Sequence, residues 1–229
     1  MLKIISHTDG DAKKTVEKFC GQVVWLLKVR DIFAELFEDE QSEVLMEKTA
    51  RSFFVDLGSI MHCYLLLECA KITDPAKTAD KENFTIDNLI ESIEWPPDIR
   101  EELKALRDKI KPFRNHILPA RSKLCAHTDK ETVLADRMLG EFPEGEDKEF
   151  LETLQRFCDV IHKACFGEDF GQIITGELGG IEDFKGALEK AVAFDELLSE
   201  SSGQEKTRLY SSLQKVRQRP TSVKGESRK

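Results

Sequence analysis

Between Arg107 and Glu131 the chain reads RDKIKPFRNHILPARSKLCAHTDKE, and the residues best suited to chemistry sit here. Arg107, Lys109, Lys111, Arg114, Arg121, Lys123 and Lys130 outnumber Asp108, Asp129 and Glu131. Such a cationic strip suits phosphate groups, and it equally suits a solvated helix face. Within it Arg121 and His127 are separated by five residues. Imidazole serves as acid or base near neutrality. Guanidinium grips phosphate oxygens through paired donors. Together they suit chemistry at a phosphate group.

Spacing alone is weak support. With 12 arginines and five histidines in 229 residues, about one Arg–His pair with four to six residues between arises by chance, and the chain holds two. In the second, Arg156 and His162, apolar Phe157 follows the arginine, so this pair reads as a core-edge helix. His62 reads as a core-edge histidine satisfied by a neighbour. Arg114 and His116 read as phosphate-contacting or surface residues, and Thr128 as a surface residue. The cysteines (Cys20, Cys63, Cys69, Cys125, Cys158, Cys165) form no C-x-x-C pair and read as reduced core thiols. Neither they nor the histidines are paired closely enough for zinc, so no metal and no cofactor is expected.

Helices must position these residues. Val16, Phe19, Cys20, Val23, Val24, Leu27, Phe33 and Leu36 recur at three and four spacing and predict one amphipathic helix over Asp11 to Phe37. A second is predicted from about Ser42 to Thr73, apolar nearly all round between Phe53 and Leu67 and therefore expected to be buried on most sides. Thr73-Asp74-Pro75 stops it and a polar loop follows. Thr85 is set to cap a short helix. The motif-bearing helix is predicted from about Asp98 to about His127, kinked or divided by Pro112 and Pro119. Another runs from about Lys148 to Phe166, and 181–200 allows one more. No period-two alternation and no Gly-rich phosphate loop is present. The expected fold is all-α: an antiparallel bundle of four to five helices in residues 1–170, a short helical extension over 171–200, and a tail over 201–229.

The tail carries eight Lys or Arg against two Glu, with too few apolar residues to offset its ordering entropy, and is expected to be basic and disordered. Residues 1–200 therefore carry −15, which argues against broad duplex binding. Met1 to Gly10 lacks signal-peptide character, and no apolar run approaches the roughly 18 residues that span a bilayer, so no membrane partner and a cytoplasmic location are expected.

The run Arg121-Ser122-Lys123-Leu124-Cys125-Ala126-His127-Thr128-Asp129-Lys130 resembles the R-x(4-6)-H signature of the HEPN superfamily, and more closely its abortive-infection AbiU-type branch, where the histidine sits in Ala-His-x-Asp-Lys. Leu65 to Pro75, the polar loop and Thr85-Ile86-Asp87-Asn88-Leu89 are similar to that branch's helix end and following short helix, and the likeness covers roughly residues 10–170. Ser122 stands where Asn is commoner, and Pro119 lies two residues before Arg121. The resemblance implies metal-independent RNA cleavage by Arg121 and His127, with Lys109, Lys111, Arg114, Lys123 and Lys130 contacting RNA. Ser122 and Asp129 are the orienting candidates; Asp129 either orients His127 or caps the helix end. On an ideal helix six positions turn about 600° and rise about 9 Å, so the two side chains point about 120° apart. A second copy across a two-fold axis would bring two such pairs together, so a homodimer is expected, with RNA as substrate and a cognate antitoxin protein as a further partner. The alternatives are a non-catalytic RNA- or protein-binding HEPN module and a purely structural helical adaptor.

Overall fold

The computed structural model describes residues 10–121, 142–171 and 179–217, and these are almost entirely helical. In chain order the elements are α1 (Gly10–Phe37), α2 (Glu40–Thr73), β1 (Lys77–Thr78), β2 (Lys81–Glu82), α3 (Ile86–Ser92), α4 (Pro97–Ala120), α5 (Glu146–Phe166), α6 (Ile181–Glu200) and α7 (Gly203–Arg217). Local signals set the starts. Asp39 caps α2 by accepting from the Ser42 N–H at 2.9 Å and the Ser42 hydroxyl at 2.8 Å, and these bonds hold its carboxyl below the usual range. Thr85 caps α3 by accepting from the Asn88 N–H at 3.2 Å, and Pro97 occupies the first position of α4. The polar loop after α2 contains a two-residue hairpin, Lys77 opposite Glu82 and Thr78 opposite Lys81, too short for a period-two signal.

Four helices form an antiparallel ring. Trp25 meets Tyr64 and Phe37 meets Gly58, so α1 and α2 run oppositely. Phe113 stacks near Phe150 and Arg156 reaches Glu102, which sets α5 antiparallel to α4. Phe19 packs on Phe157, with ring centroids 5.9 Å apart, and Arg30 pairs with Asp147, so α5 also runs against α1. Val16, Phe19, Val23 and Leu26 of α1, Leu103, Ile110 and Ile117 of α4, and Leu154, Phe157 and Ile161 of α5 fill the centre. Burying each contributes roughly 1.5–3 kcal/mol before entropy is counted. A smaller cluster of Leu36, Met46 and Phe54 takes Ile181 and Leu188 of α6 beside the kink at Ala50.

Three expectations are corrected. The middle of α2 is not buried: Phe53, Val55 and Ile60 are each about two-thirds exposed (60%, 62%, 66%), although Phe54 between them packs on Phe184 of α6. An 18-residue window of α2 also has mean hydropathy 1.4 and 28% burial, so by length and composition one helix does reach spanning values. Scattered polar residues break the apolar run without lowering the window average. Finally, Gly203–Arg217, expected to be disordered, forms α7. Leu209, Leu213 and Val216 recur at four and three, and Ser211 and Ser212 bond back to Thr207 and Arg208 carbonyls. None of its described side chains is buried.

Because α7 covers so little apolar surface, truncation after Ser202 is expected to shift the melting temperature by no more than about 3 °C. Thermal circular dichroism of the full and truncated chains checks this. A larger loss would show that α7 contributes to the core.

Candidate nucleic-acid interface

The site is built on α4. Its core stripe, Leu103, Ile110 and Ile117, repeats every seven residues, and so does a second series, Arg100, Arg107, Arg114 and Arg121. Leu106 and Phe113, three residues on from Leu103 and Ile110, complete the buried face. Four positions on an α-helix turn about 400°, so Arg107, Arg114 and Arg121 each sit about 40° from the core residue four before, on one edge of the buried face. Pro112 and Pro119 lie inside the helix without dividing it. Beyond Arg121, Ser122, Lys123, His127, Asp129 and Lys130 lie outside the described residues.

Each arginine of the series meets an acceptor. Arg100 donates to the Ile93 carbonyl at 3.2 Å and so ties the α3–α4 connection. Arg107 reaches Asp87 at 3.6 Å and Asp108 at 3.0 Å. Arg114 and Arg121 converge on one carboxylate, Asp74, at 3.5 Å each, one to either oxygen. Those contacts are longer than the roughly 2.7–2.9 Å of a firm charged hydrogen bond. The buried Nε atoms of Arg114 and Arg121 have no acceptor among the described residues. Two guanidinium groups thus share one loosely held carboxylate, at the end of α2 where Pro75 stops the helix. Arg121 keeps 34% of its side chain exposed.

The remaining basic residues divide. Lys111 shares the arginine face and binds Asp108 at 3.0 Å; Lys111 first, then Arg107, hold the Asp108 carboxyl below its usual range. Lys109 is exposed but sits about 200° around the helix from Arg107, so the basic strip is not one face. His116 is likewise turned away from Arg114, and its Nδ1 lies 2.7 Å from Glu146. His62 is more exposed than a core-edge position and lies beside Phe33, with centroids 6.2 Å apart. Arg156 is 61% exposed and paired with Glu102 at 3.0 Å, while the His162 ring lies between Phe166 and Phe170 with Nδ1 3.0 Å from the Glu168 carbonyl. That pair is spent on structure. Among the described residues no group of three or more His, Cys, Asp or Glu is arranged to hold a metal ion. Cys20, Cys69, Cys158 and Cys165 are buried, Cys63 is half-buried, and burial pushes the Cys69 thiol up to about 12.

The sevenfold arginine series was legible as spacing, although the cationic strip draws attention to charge count instead. The part played by Asp74 was not legible, since it lies 47 residues from Arg121 and meets it only through the packing of α2 on α4.

A family model, HEPN_AbiU2, described as AbiU2, matches residues 9–172. The chain belongs to the HEPN AbiU2 family. No curated protein and no solved structure matches it. In this HEPN domain the match runs from the start of α1 to just past α5, so α6 and α7 lie beyond it.

Asp74 competes with any incoming anion for Arg114 and Arg121. Asp74→Asn is therefore expected to raise affinity for a single-stranded oligonucleotide severalfold at low salt, with a stability change under about 1 kcal/mol because these ion pairs are long and partly exposed. Fluorescence anisotropy across a salt series measures it. Weaker binding in the variant would mean that Asp74 serves mainly to hold the two arginines in place.

Proposed function

We propose that this HEPN AbiU2 chain is a metal-independent endoribonuclease of an abortive-infection or toxin system, acting as a homodimer and restrained by a cognate antitoxin protein. The observation that carries the reading is Arg121: a one-third exposed guanidinium at the end of α4, with a buried Nε that has no acceptor among the described residues and a long, shared contact to Asp74. Such a group has donors to spare for a phosphate.

In this reading Arg121 holds the non-bridging oxygens of the phosphate as negative charge builds on the pentacoordinate centre. His127 moves protons: one imidazole takes the 2′-hydroxyl proton as that oxygen bonds to phosphorus, and the imidazolium of a second copy protonates the departing 5′-oxygen. The products are a 2′,3′-cyclic phosphate and a 5′-hydroxyl end. Ser122 and Asp129 would orient this pair, with Arg114, Lys111, Lys123 and Lys130 contacting the strand.

Purified protein is expected to cleave a mixed RNA pool in EDTA. Arg121→Ala and His127→Ala should each cost about 10²- to 10⁴-fold in rate without unfolding the domain, and the double variant should be little worse than either. Arg156→Ala and His162→Ala serve as the matched control. Loss of cleavage in the control pair alone would place the active site on α5. A wild type that binds RNA in a salt-dependent way and never cleaves it would make this a binding module.

A two-fold assembly follows from the incomplete single-copy site. Sedimentation at micromolar concentration should show a dimer, with or without RNA. A strict monomer under both conditions would rule out the shared site.

A further inference from the structure

Further back along α4 from Arg121, on the same face, the end of α2 and the first turn of α3 enclose a cleft of about 200 Å³. Arg107, Lys111 and Arg114 line one wall, with Asn115, Thr73 and Asp87 around them. Three cations therefore line the cleft with one carboxylate, Asp87, while Asp108 on the same helix holds Arg107 and Lys111 at 3.0 Å each from outside the lining. The Asp87 carboxylate is 3.6 Å from Arg107, and Arg114 is 3.5 Å from Asp74 just outside, so neither guanidinium is firmly bonded across the cleft. The buried Nε of Arg114 has no acceptor among the described residues. The Asn115 amide makes no side-chain hydrogen bond among them either, which leaves it both a donor and an acceptor. Donors outnumber acceptors in a space too confined for a duplex.

We propose that this cleft is a subsite for a backbone phosphate of single-stranded RNA, holding the strand several nucleotides from the phosphate at Arg121. The name of the Arg121 end as the cleavage point rests on the ribonuclease reading; the cleft itself does not. Arg114 lies about 10 Å, and Arg107 about 20 Å, along the helix axis from Arg121. At the roughly 3.4 Å rise of a stacked strand this span is about three to six nucleotides. The arginine series then acts as a ruler. An RNA long enough to reach from Arg121 into the cleft gains a phosphate contact that a shorter one lacks.

The test uses the full-length chain and 2′-O-methyl oligonucleotides, which carry the phosphates but have no free 2′-hydroxyl to attack them. Binding by anisotropy is expected to tighten once the strand exceeds about six nucleotides. In Arg107→Gln/Lys111→Ala that gain should disappear: long strands bind about tenfold more weakly, and the log–log salt slope becomes shallower by about 0.7. Lys111→Ala alone, at a half-exposed position, should show a smaller loss in the same direction, and thermal melts confirm that both variants are folded. Arg156→Ala removes one positive charge elsewhere and should leave the length dependence intact. Equal long-strand affinity in wild type and double variant overturns the proposal, as does an equal loss in Arg156→Ala or a wild type that binds no strand. Inorganic phosphate or a mononucleotide binding as tightly as the long strand would assign the cleft to free phosphate and overturn it too. A wild type that cleaves no RNA but loses long-strand binding in the double variant keeps the cleft and removes the ribonuclease reading. Cleavage with unchanged binding does the reverse.

Discussion

The heptad register of α4 is the constraint from which the candidate site follows. Leu103, Ile110 and Ile117 are fully or nearly fully buried and fix the rotation of the helix, because turning it by one position would expose all three. A strict seven-residue repeat drifts about 20° per heptad on a straight helix. The arginines at 107, 114 and 121 share that repeat, so they drift with the core stripe and stay beside it along the whole helix. Core packing thus aims the guanidinium groups, and no separate device is needed to align them.

What the arginines meet is decided by where two other helices stop and start. Pro75 cannot continue α2, so Asp74 becomes its C-terminal cap, with an extended backbone that places its carboxylate beside Arg114 and Arg121. Thr85 starts α3, which puts Asp87 in the first turn within 3.6 Å of Arg107. Both carboxylates are thereby held close enough to keep partly buried guanidinium groups from being isolated charges, yet too far for full hydrogen bonds. The compromise keeps each guanidinium near a counter-charge while leaving the Nε donors of Arg114 and Arg121 without an acceptor among the described residues. An acidic body makes this local surplus of positive charge a place where a phosphate is favoured over the rest of the surface.

Most helices were legible because their signals are local. The three-and-four spacing of Val16 to Leu36 gave α1, the Thr85 cap gave α3, and Phe150 to Cys165 gave α5, with bounds off by a residue or two at most. The misread stretches share a different cause. Phe53, Val55 and Ile60 are apolar enough for burial, but burial depends on whether a neighbour covers that side, and composition carries no record of it. In Gly203–Arg217 a charge-rich composition outweighed a modest spacing of Leu209, Leu213 and Val216, so a helix with no buried side chain passed for a disordered tail. Lys109 entered the basic strip by proximity in sequence, where a count of 100° per residue separates it from Arg107 and Lys111. The partnership of Asp74 with two arginines is a tertiary fact that no pattern within α4 contains.

The two arginine–histidine pairs show why spacing alone does not make a site. Arg121 and Arg156 each precede a histidine by six positions on or next to a bundle helix. Arg156 is well exposed and meets Glu102 at 3.0 Å, so its charge is answered in water by a neighbour at ordinary hydrogen-bond distance. His162 lies against Phe166 and Phe170, and one ring nitrogen meets the Glu168 carbonyl past the end of α5, which fixes the ring as part of a helix terminus. Among the described residues Arg121 differs in each respect that matters chemically: it is less exposed, its Nε is buried without an acceptor, and its one carboxylate is shared at 3.5 Å. Desolvation strengthens what a guanidinium gains from a phosphate, and an unsatisfied donor loses nothing by taking one. The chemical distinction between the two pairs therefore lies in how completely each arginine is already bonded, which is set for Arg121 by the end of α2 and for Arg156 by Glu102 of α4, and not by the distance to the next histidine.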